Sequence, residues 1–397
     1  MLAPTSRGRP RLAHIEGLRA VAVLAVVGTH LALLSGFTAE NALGPLTARL
    51  NVGVALFFVL SAYLLYRPWV DARLNGGREV DAGRYATRRL VRIFPAYLLA
   101  LIVLGLLIPD QAPGVFGSDW WAYFGLLQVY SQDTVVGGLG VTWSLSTELA
   151  FYLALPLIGW AAAQLLGGRP RALQVRIELA ALAASVAVAF LLRHVVAEQG
   201  WVTTYANTIG GKWPWFAVGL GLAVASAAWG TRPFEERPRV VRFGPGGAWA
   251  CWAAAAALLL FAAYGGVLPR NAFALTPAQS QLELLLFALF GLCLVAPVVL
   301  GDASAPRTPA ALLALAPVVW LGTISYGIFL WHYPLAWWAS GEIPDDAWLF
   351  AVVACALTLA CAAFSWYVIE QPLLRRTIGR GRSRAAPAAA EAREPAP

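Results

Sequence analysis

The stretch GLRAVAVLAVVGTHLALLSG, residues 17–36, decides the fold class of this chain. Because a helix rises about 1.5 Å per residue, a stretch of this length crosses the roughly 30 Å of hydrocarbon in a bilayer. Its titratable groups are Arg19 and His30, and nearly all its other residues are apolar. The arginines before it resemble the start of a signal peptide, but the run is long and lacks a clear small-residue cleavage site. It therefore predicts a retained first membrane helix.

The same pattern recurs along the whole chain. Of its 397 residues, 59% are hydrophobic and 13% are charged, whereas charged residues make up roughly a quarter of a water-soluble domain. The apolar residues form blocks of membrane-spanning length, so we predict an all-α, polytopic membrane protein with about ten transmembrane helices. The predicted spans are 17–36, 51–68, 93–110, 143–166, 177–198, 212–229, 247–267, 280–300, 312–340 and 349–370.

The basic residues predict which loops face the cytoplasm. The formal net charge is +8, and the 29 Lys and Arg residues lie in alternate loops, apart from Arg49, Arg193, Lys212 and Arg270. By the positive-inside rule, this asymmetry places both termini in the cytoplasm. The charge therefore indicates topology, and no nucleic-acid partner is predicted.

Two segments differ from simple spans. Residues 111–142 form a long outer loop, and its stretch DWWAYFGLLQVY, residues 119–130, is expected to lie along the membrane surface. The span 312–340 is too long for one perpendicular crossing. Pro317 and Pro334 predict that it is kinked or that it begins as a separate short helix.

The remaining organisation is simple. Residues 1–376 are assigned to one transmembrane domain, and residues 377–397, which are polar and rich in Pro and Ala, are predicted to form a disordered cytoplasmic tail. The 4 cysteines lie in apolar spans, without a CxxC pair or a His/Cys cluster. We expect them to be packing residues, and we expect no metal site.

Arg19 and His30 are the first candidates for a functional site, because polar side chains inside a membrane are costly and usually functional. Roughly three full turns separate them, which brings both side chains to one helix face about 16 Å apart. This separation is close to the length of a pantetheine arm. Arg19 could hold a phosphate of an acyl-CoA while His30 meets the thioester. The alternative is structural: an arginine that extends to the interface, and a histidine that is hydrogen-bonded between helices.

Glu148, in the stretch TWSLSTELAFYL, is predicted to lie at nearly the depth of His30, since each is a similar distance from the outer end of its span. A carboxylate beside an imidazole fixes its tautomer and raises its basicity, which suits activation of a hydroxyl. We therefore predict His30 and Glu148 as the catalytic pair. The alternative is a role in the first turn of a helix that Ser144 or Ser146 would begin.

The run RYATRRLVRIFPAY carries a cluster of arginines at the predicted cytoplasmic surface. Arg88, Arg89 and Arg92, together with Arg19, are predicted to bind the phosphates of CoA, because guanidinium groups pair well with phosphate. The alternative for each arginine is a topological anchor. Glu370, near the other end of the chain, is expected to pair with one of them in a mainly structural role.

A weaker group of candidates lines the predicted substrate path. It consists of Trp143, Ser146, Tyr326 and His332. His332 lies in GTISYGIFLWHYP, residues 322–334, two positions before a proline. Packing beside a proline kink explains its position equally well.

These motifs occur together in a recognisable order. The R-x10-H pattern of the first helix is followed by NVGVALFFVLSAYLL, RRLVRIFPAY, TWSLSTELAFYL, GTISYGIFLWHYP and WYVIEQP. The ordered set resembles the acyltransferase-3 family of bacterial membrane proteins, and the resemblance covers residues 11–376.

The resemblance implies transfer of an acyl group, often acetyl, from acyl-CoA to a hydroxyl. Acceptors in the family include cell-surface polysaccharides, peptidoglycan and macrolide-type antibiotics. By position, the family's Arg and His fall on Arg19 and His30, and its helix-four carboxylate falls on Glu148. Relatives often carry acidic residues where this chain has Ala55 and Leu149, so no mechanism with two adjacent carboxylates is implied. The expected partners are the bilayer of a bacterial inner membrane, acyl-CoA (acetyl-CoA first) and a saccharide or glycosylated acceptor.

Two other classes of function stay open at this point. A transporter or exporter of acyl-modified saccharide would also have about ten helices and buried polar groups. Against it, the sequence has no visible inverted repeat and no paired broken helices. A non-catalytic membrane scaffold or receptor is the second class, and it would give the aligned Arg19 and His30 no role.

Overall fold

The structure, a computed structural model, describes residues 8–112, 114–135, 137–198, 202–230, 232–270, 274–301 and 310–383. These residues form helices joined by loops, and none of them forms a β-strand. Most of them belong to the long helices α1 (Gly8–Leu34), α2 (Val52–Asn75), α3 (Ala82–Leu107), α4 (Trp143–Leu166), α5 (Arg171–Glu198), α6 (Ile209–Trp229), α7 (Pro245–Tyr264), α8 (Pro277–Leu300), α9 (Ser325–Glu342) and α10 (Ala347–Phe364).

Much of this helical structure is long and apolar enough to cross a membrane. Within the described ranges, 8 segments meet both conditions, and they fall in α1, α2, α3, α4, α5, α7, α8 and α10. The two other predicted spans correspond to α6 and α9. The all-α polytopic membrane class is therefore confirmed. The count of ten spans and the cytoplasmic position of both termini stay predictions.

The overlong span 312–340 begins as a separate short helix, as predicted. The helix Ala316–Thr323 ends at Ile324, and α9 starts immediately afterwards at Ser325. Pro317 lies in the first turn of the short helix, where its missing N–H costs no hydrogen bond. Pro334 lies inside α9, so the break falls at the GTISYG motif and not at that proline.

The centre of the bundle is α2. It packs against α1, α4, α6 and α8. Two glycines allow neighbouring backbones to come close: a Cβ at Gly53 would collide with the carbonyl oxygen of Ala22, and one at Gly219 with that of Val59. Since lipid tails are as apolar as the helices, close packing of small residues is a main source of helix association in a bilayer.

The space that holds the predicted site lies beside α2. The helix α1 packs against both Ala316–Thr323 and α9, and α9 packs against α10 and α3. The helix α4 contacts both α2 and α3. Residues of α1, α2, α3, α4 and α9 can therefore face one another inside the bundle.

The start of α3 is fixed by a carboxylate outside the membrane-spanning segment. Asp81 accepts a hydrogen bond from the backbone N–H of Arg84 at 2.9 Å, and this bond lowers the pKa of the Asp81 carboxyl. The cap satisfies a backbone donor at the start of the helix. The arginines of the RRLVR motif therefore lie in the early turns of α3.

The predicted amphipathic stretch 119–130 is not one continuous helix. It forms the short helix Trp120–Phe124 and the 3₁₀ turn Gln128–Tyr130. Trp120 is 55% exposed, whereas Tyr123 is 3% exposed. Part of the stretch thus packs into the protein and part faces outward.

Helical structure extends into the predicted disordered tail. After α10, the π-helical turn Ser365–Glu370 leads directly into the helix Gln371–Ser383. This helix passes residue 377, where the tail was predicted to begin. The remainder of the predicted tail, residues 384–397, lies outside the described residues.

Candidate active site

Arg19 and His30 lie on one face of α1, as predicted, and both contact α9. Nε and Nη2 of Arg19 donate to Ser325 Oγ at 3.2 and 3.1 Å. Closer to the end of α1, the ring centroid of His30 lies 5.1 Å from that of His332 and 4.9 Å from that of Tyr333. The polar face of α1 is therefore matched by polar groups along α9.

The hydrogen bonds around His30 and His332 define their tautomers. Nδ1 of His332 lies 2.8 Å from the Phe329 oxygen and 3.1 Å from the Ile328 oxygen. Carbonyl oxygens only accept, so this nitrogen carries the proton and Nε2 of the neutral ring accepts. Nε2 of His332 lies 3.1 Å from Nδ1 of His30. The same His30 nitrogen lies 2.8 Å from the backbone oxygen of Val26. Nδ1 of His30 therefore carries the proton of its own ring.

This assignment leaves Nε2 of His30 unprotonated. A neutral imidazole with its proton on Nδ1 has a lone pair on Nε2 that can accept a proton or attack a carbonyl. When Nε2 of His30 takes a proton, the ring becomes an imidazolium whose Nδ1–H still donates to His332. The pair therefore has the tautomer and the charge-stabilising acceptor that general-base chemistry requires.

Glu148 on α4 is held by two hydroxyl groups. Ser61 on α2 donates to its Oε1, and Tyr152 donates to the same oxygen at 2.6 Å. The helix begins at Trp143, and no acidic residue lies in its first turn. The alternative role for Glu148 at the start of the helix is therefore wrong.

The predicted contact between His30 and Glu148 is not formed in the described part of the chain. The hydrogen-bond partners of His30 are Val26 and His332, and those of Glu148 are Ser61 and Tyr152. Equal depth does not make two side chains neighbours, because the His30 ring packs against His332 and Tyr333 of α9. The orienting contact predicted for Glu148 is thus made by His332. The catalytic roles of His30 and Glu148 stay predictions.

Arg19 and Glu148 both face a cavity of about 110 Å³, which we name the arginine cavity. Its polar lining consists of Arg19, Ser61, Arg89, Arg92, Ser144, Glu148, Tyr152, Ser325 and Tyr326. Guanidinium groups outnumber carboxylates in this lining. An excess of guanidinium groups favours an anionic ligand, and phosphate is the anion that they bind in a bidentate way.

The three arginines of α3 have different surroundings. Nη1 of Arg92 lies 2.9 Å from Oε2 of Glu370, which confirms the predicted ion pair of Glu370 with this run. Arg89 lies over the Tyr152 ring, 5.9 Å from its centroid. Arg88 is not among the described residues that line the arginine cavity. The structure therefore brings Arg89 and Arg92 to Arg19, but not Arg88.

His30 faces a second cavity of about 530 Å³, which we name the histidine cavity. Its volume is within the usual range for a small-molecule site. Its polar and aromatic lining includes Thr29, His30, Thr38, Asn51, Trp143 and Arg270. Two of the residues predicted to line the substrate path face different cavities. Trp143 faces the histidine cavity and Tyr326 faces the arginine cavity. Ser146 and His332 are buried, and neither is among the described lining residues of these cavities.

Two apolar side chains separate the cavities. Val54 on α2 and Phe329 on α9 line both spaces. The pair, which we name the wall, has His30 on one side and Arg19 with Glu148 on the other. The predicted site residues thus lie in two cavities that share Val54 and Phe329 in their lining.

Several residues of this site were not predicted from the sequence. Tyr152 is four residues after Glu148, and that spacing on a helix was a usable signal for their contact. Ser61, Phe329, Asn51 and Arg270 gave no such signal, because their positions depend on which helices are neighbours.

The fold and the two cavities define a multi-helix membrane protein with a polar site inside its helix bundle. The chain belongs to the acyltransferase-3 family, whose acyltransferase domain matches residues 12–367. It is a multi-pass protein of the bacterial cell membrane.

The chain is similar to several bacterial acyltransferases. It is 24% identical to the peptidoglycan O-acetyltransferase OatA of Listeria monocytogenes over 94% of this chain and 57% of that protein. It is 26% identical to the acyltransferase MdmB of Streptomyces mycarofaciens over 94% of both chains. It is 22% identical to the O-acetyltransferase OatA of Staphylococcus aureus over 91% of this chain and 57% of that protein. The chain thus spans little more than half of the OatA proteins. No solved structure matches it.

Proposed function

We propose that this acyltransferase moves an acyl group, acetyl first, from acyl-CoA to a hydroxyl of a saccharide, a cell-envelope glycan or a glycosylated small molecule. The proposal rests chiefly on the His30–His332 pair, which leaves Nε2 of His30 unprotonated in a residue that lines the histidine cavity. One similar protein is named a peptidoglycan O-acetyltransferase and another an O-acetyltransferase. These names support transfer to a glycan hydroxyl.

The donor is proposed to bind through the arginine cavity. Arg19, Arg89 and Arg92 line this space, and their guanidinium groups match the phosphates of CoA. The pantetheine arm would then extend along α1 from Arg19 toward His30. Since His30 lies beyond the wall, the thioester must pass between Val54 and Phe329 to reach it.

The acceptor hydroxyl is proposed to enter the histidine cavity and meet His30. Nε2 of His30 takes the hydroxyl proton while the oxygen attacks the thioester carbonyl. The carbon–sulfur bond then breaks, the imidazolium returns the proton to the CoA sulfur, and an ester and free CoA result. His332 accepts from Nδ1–H of His30 throughout, which stabilises the imidazolium in the low-dielectric interior.

An acyl-histidine relay would give the same products in two steps. Nε2 of His30 would first attack the thioester carbonyl, and the carbon–sulfur bond would break to release CoA as its thiolate. The hydroxyl oxygen would then attack the acyl-imidazolium, the acyl–Nε2 bond would break, and the hydroxyl proton would pass through Nε2 to the thiolate. The wall favours this route, because His30 could receive the acyl group before the acceptor occupies the histidine cavity.

The test uses the full chain in lipid nanodiscs with radiolabelled acetyl-CoA and a soluble peptidoglycan fragment. We expect labelled ester on the glycan, and we expect His30→Ala to lower its rate about a hundredfold or more. His194→Ala is the matched control, because His194 is exposed and lines neither cavity. Full transfer by His30→Ala would reject the proposal, and transport of glycan without consumption of acetyl-CoA would favour the exporter.

A further inference from the structure

The histidine cavity has a positive side that the proposed chemistry does not use. Arg270 lines this cavity, whereas no carboxylate is among its described lining residues. Acyl transfer to a hydroxyl needs a base and a thioester, and it needs no arginine at the acceptor. The charge of Arg270 therefore points to a property of the acceptor.

Arg270 is held in place by contacts on both sides. Arg49, which is 1% exposed, donates to the backbone oxygen of Pro269, the residue before Arg270. Nη1 of Arg49 lies 2.7 Å from Oε1 of Glu283. Arg270 itself donates to the backbone oxygen of Ala39, another lining residue. A buried ion pair thus fixes the loop that carries Arg270.

Within the part of the chain that the structure describes, most donors of the Arg270 guanidinium have no partner. A guanidinium group has five N–H donors, and among the described residues its hydrogen bond comes from Nη1 alone. It forms no ion pair within the described ranges. Neighbouring carboxylate or phosphate oxygens of a ligand could accept the remaining N–H groups in a fork geometry.

A second basic residue lies just behind the cavity lining. The side-chain nitrogen of Lys212 lies 5.1 Å from the ring centroid of Trp143, which lines the cavity. Lys212 is not itself among the described lining residues, so Arg270 carries the guanidinium group that a ligand in the cavity would meet.

The lining also suits a sugar-sized polar molecule. Trp143 offers an aromatic surface, and Oδ1 of Asn51 is buried without a hydrogen-bond partner among the described residues. A buried acceptor without a partner is costly unless a ligand donates to it. A saccharide hydroxyl is such a donor.

We propose that the histidine cavity binds an acceptor saccharide that carries an anionic group, a carboxylate or a phosphate, and that Arg270 binds this group while His30 faces the reacting hydroxyl. The placement of the acceptor rests on the proposed function. The selection for negative charge goes beyond it and is testable by binding alone.

The test compares matched ligands for the full chain in nanodiscs of neutral lipid. The probes are N-acetylmuramic acid, its uncharged methyl ester and N-acetylglucosamine 1-phosphate, with binding measured calorimetrically. We expect the acid to bind about tenfold or more tightly than the ester, since charged hydrogen bonds are stronger than neutral ones. Preference for the acid would assign a carboxylate, and preference for the sugar phosphate would assign a phosphate.

The variants identify the residue responsible. Arg270→Gln should reduce the acid-to-ester ratio to about one, Arg270→Lys should keep part of it, and Arg239→Gln, a change at an exposed arginine outside the cavity, should leave it unchanged. Equal binding of all three probes, or a preference that survives Arg270→Gln, would overturn the proposal. Binding of the saccharide probes is measured without acetyl-CoA. Its outcome is therefore independent of whether the protein consumes acetyl-CoA, so a failure of this proposal can be told apart from a failure of the proposed function.

Discussion

Nε2 of His332 lies 3.1 Å from Nδ1 of His30, so two histidines on α1 and α9 share one hydrogen bond inside the membrane bundle. The same His30 nitrogen lies 2.8 Å from the backbone oxygen of Val26. Two acceptors therefore direct the proton of His30 to Nδ1 and leave Nε2 free. His332 thus positions His30 without facing the histidine cavity itself.

Replacement of His332 should affect turnover more than binding. In His332→Ala, the imidazolium that His30 forms loses one acceptor, and we expect kcat to fall about tenfold to hundredfold while KM for acetyl-CoA changes little. His332→Gln should recover part of the rate, because its amide oxygen can replace Nε2. Steady-state kinetics of acyl transfer would measure both. An equal loss in the two variants, with a matching loss of folded protein, would instead indicate a packing role.

The arginines of the arginine cavity should recognise the nucleotide end of the donor. We expect Arg89→Gln to raise KM for acetyl-CoA about tenfold, because a charge-assisted hydrogen bond to phosphate is lost. The rate with S-acetylpantetheine, which lacks the phosphates, should stay the same. Arg88→Gln should have a smaller effect than Arg89→Gln, because Arg88 does not line the cavity. Equal effects on both donors would show that Arg89 does not bind phosphate.

The ion pair between Arg92 and Glu370 should stabilise the folded protein, in addition to holding Arg92 at the arginine cavity. Glu370 is 1% exposed, so Glu370→Gln leaves a largely buried guanidinium without its partner and should cost about 3 kcal/mol in unfolding free energy. Replacing both residues, Arg92→Met with Glu370→Leu, should restore most of the stability, because no unpaired charge remains. Thermal unfolding in detergent would compare the three proteins. If the double variant is less stable than Glu370→Gln, a buried unpaired charge is not the cause.

The wall should limit the acyl groups that the protein accepts. In Phe329→Leu, the side chain between the cavities is smaller, and we expect kcat/KM for butyryl-CoA to rise relative to acetyl-CoA. Val54→Ala should act in the same direction, since Val54 lines the same boundary. Competition between the two donors in one reaction would measure the ratio directly. An unchanged ratio in both variants would place the selective constriction elsewhere.

Much of the fold was accessible from composition and periodicity. Apolar blocks fix where membrane helices occur, and the R-x10-H spacing fixes that Arg19 and His30 share a face, because both depend only on one helix. The break before Ser325 was indicated by span length and Pro317. The pairing of Arg92 with Glu370 was also accessible, since a buried carboxylate needs a partner and the arginines were the candidates at that surface.

The neighbours of the catalytic candidates were harder to predict. Depth along α1 and along α4 follows from each helix alone, but it does not indicate that α9 places His332 against His30. Hydrophobic patterns give the spans of a membrane protein, whereas the order of the helices around the bundle depends on close contacts such as Gly53 with Ala22. The division between the two cavities follows from that order. The sequence pattern does not indicate that Val54 and Phe329 line both cavities.

The wall has a consequence for the cell as well as for the reaction. A continuous water-filled passage from Arg19 to His30 would open a route for protons across roughly 16 Å of the membrane interior, and a bacterial membrane that leaks protons loses its electrochemical gradient. Val54 and Phe329 interrupt that route with apolar side chains, and an apolar constriction excludes water. An apolar layer between the two cavities lets the bilayer remain an electrical insulator although polar groups lie on both sides of that layer.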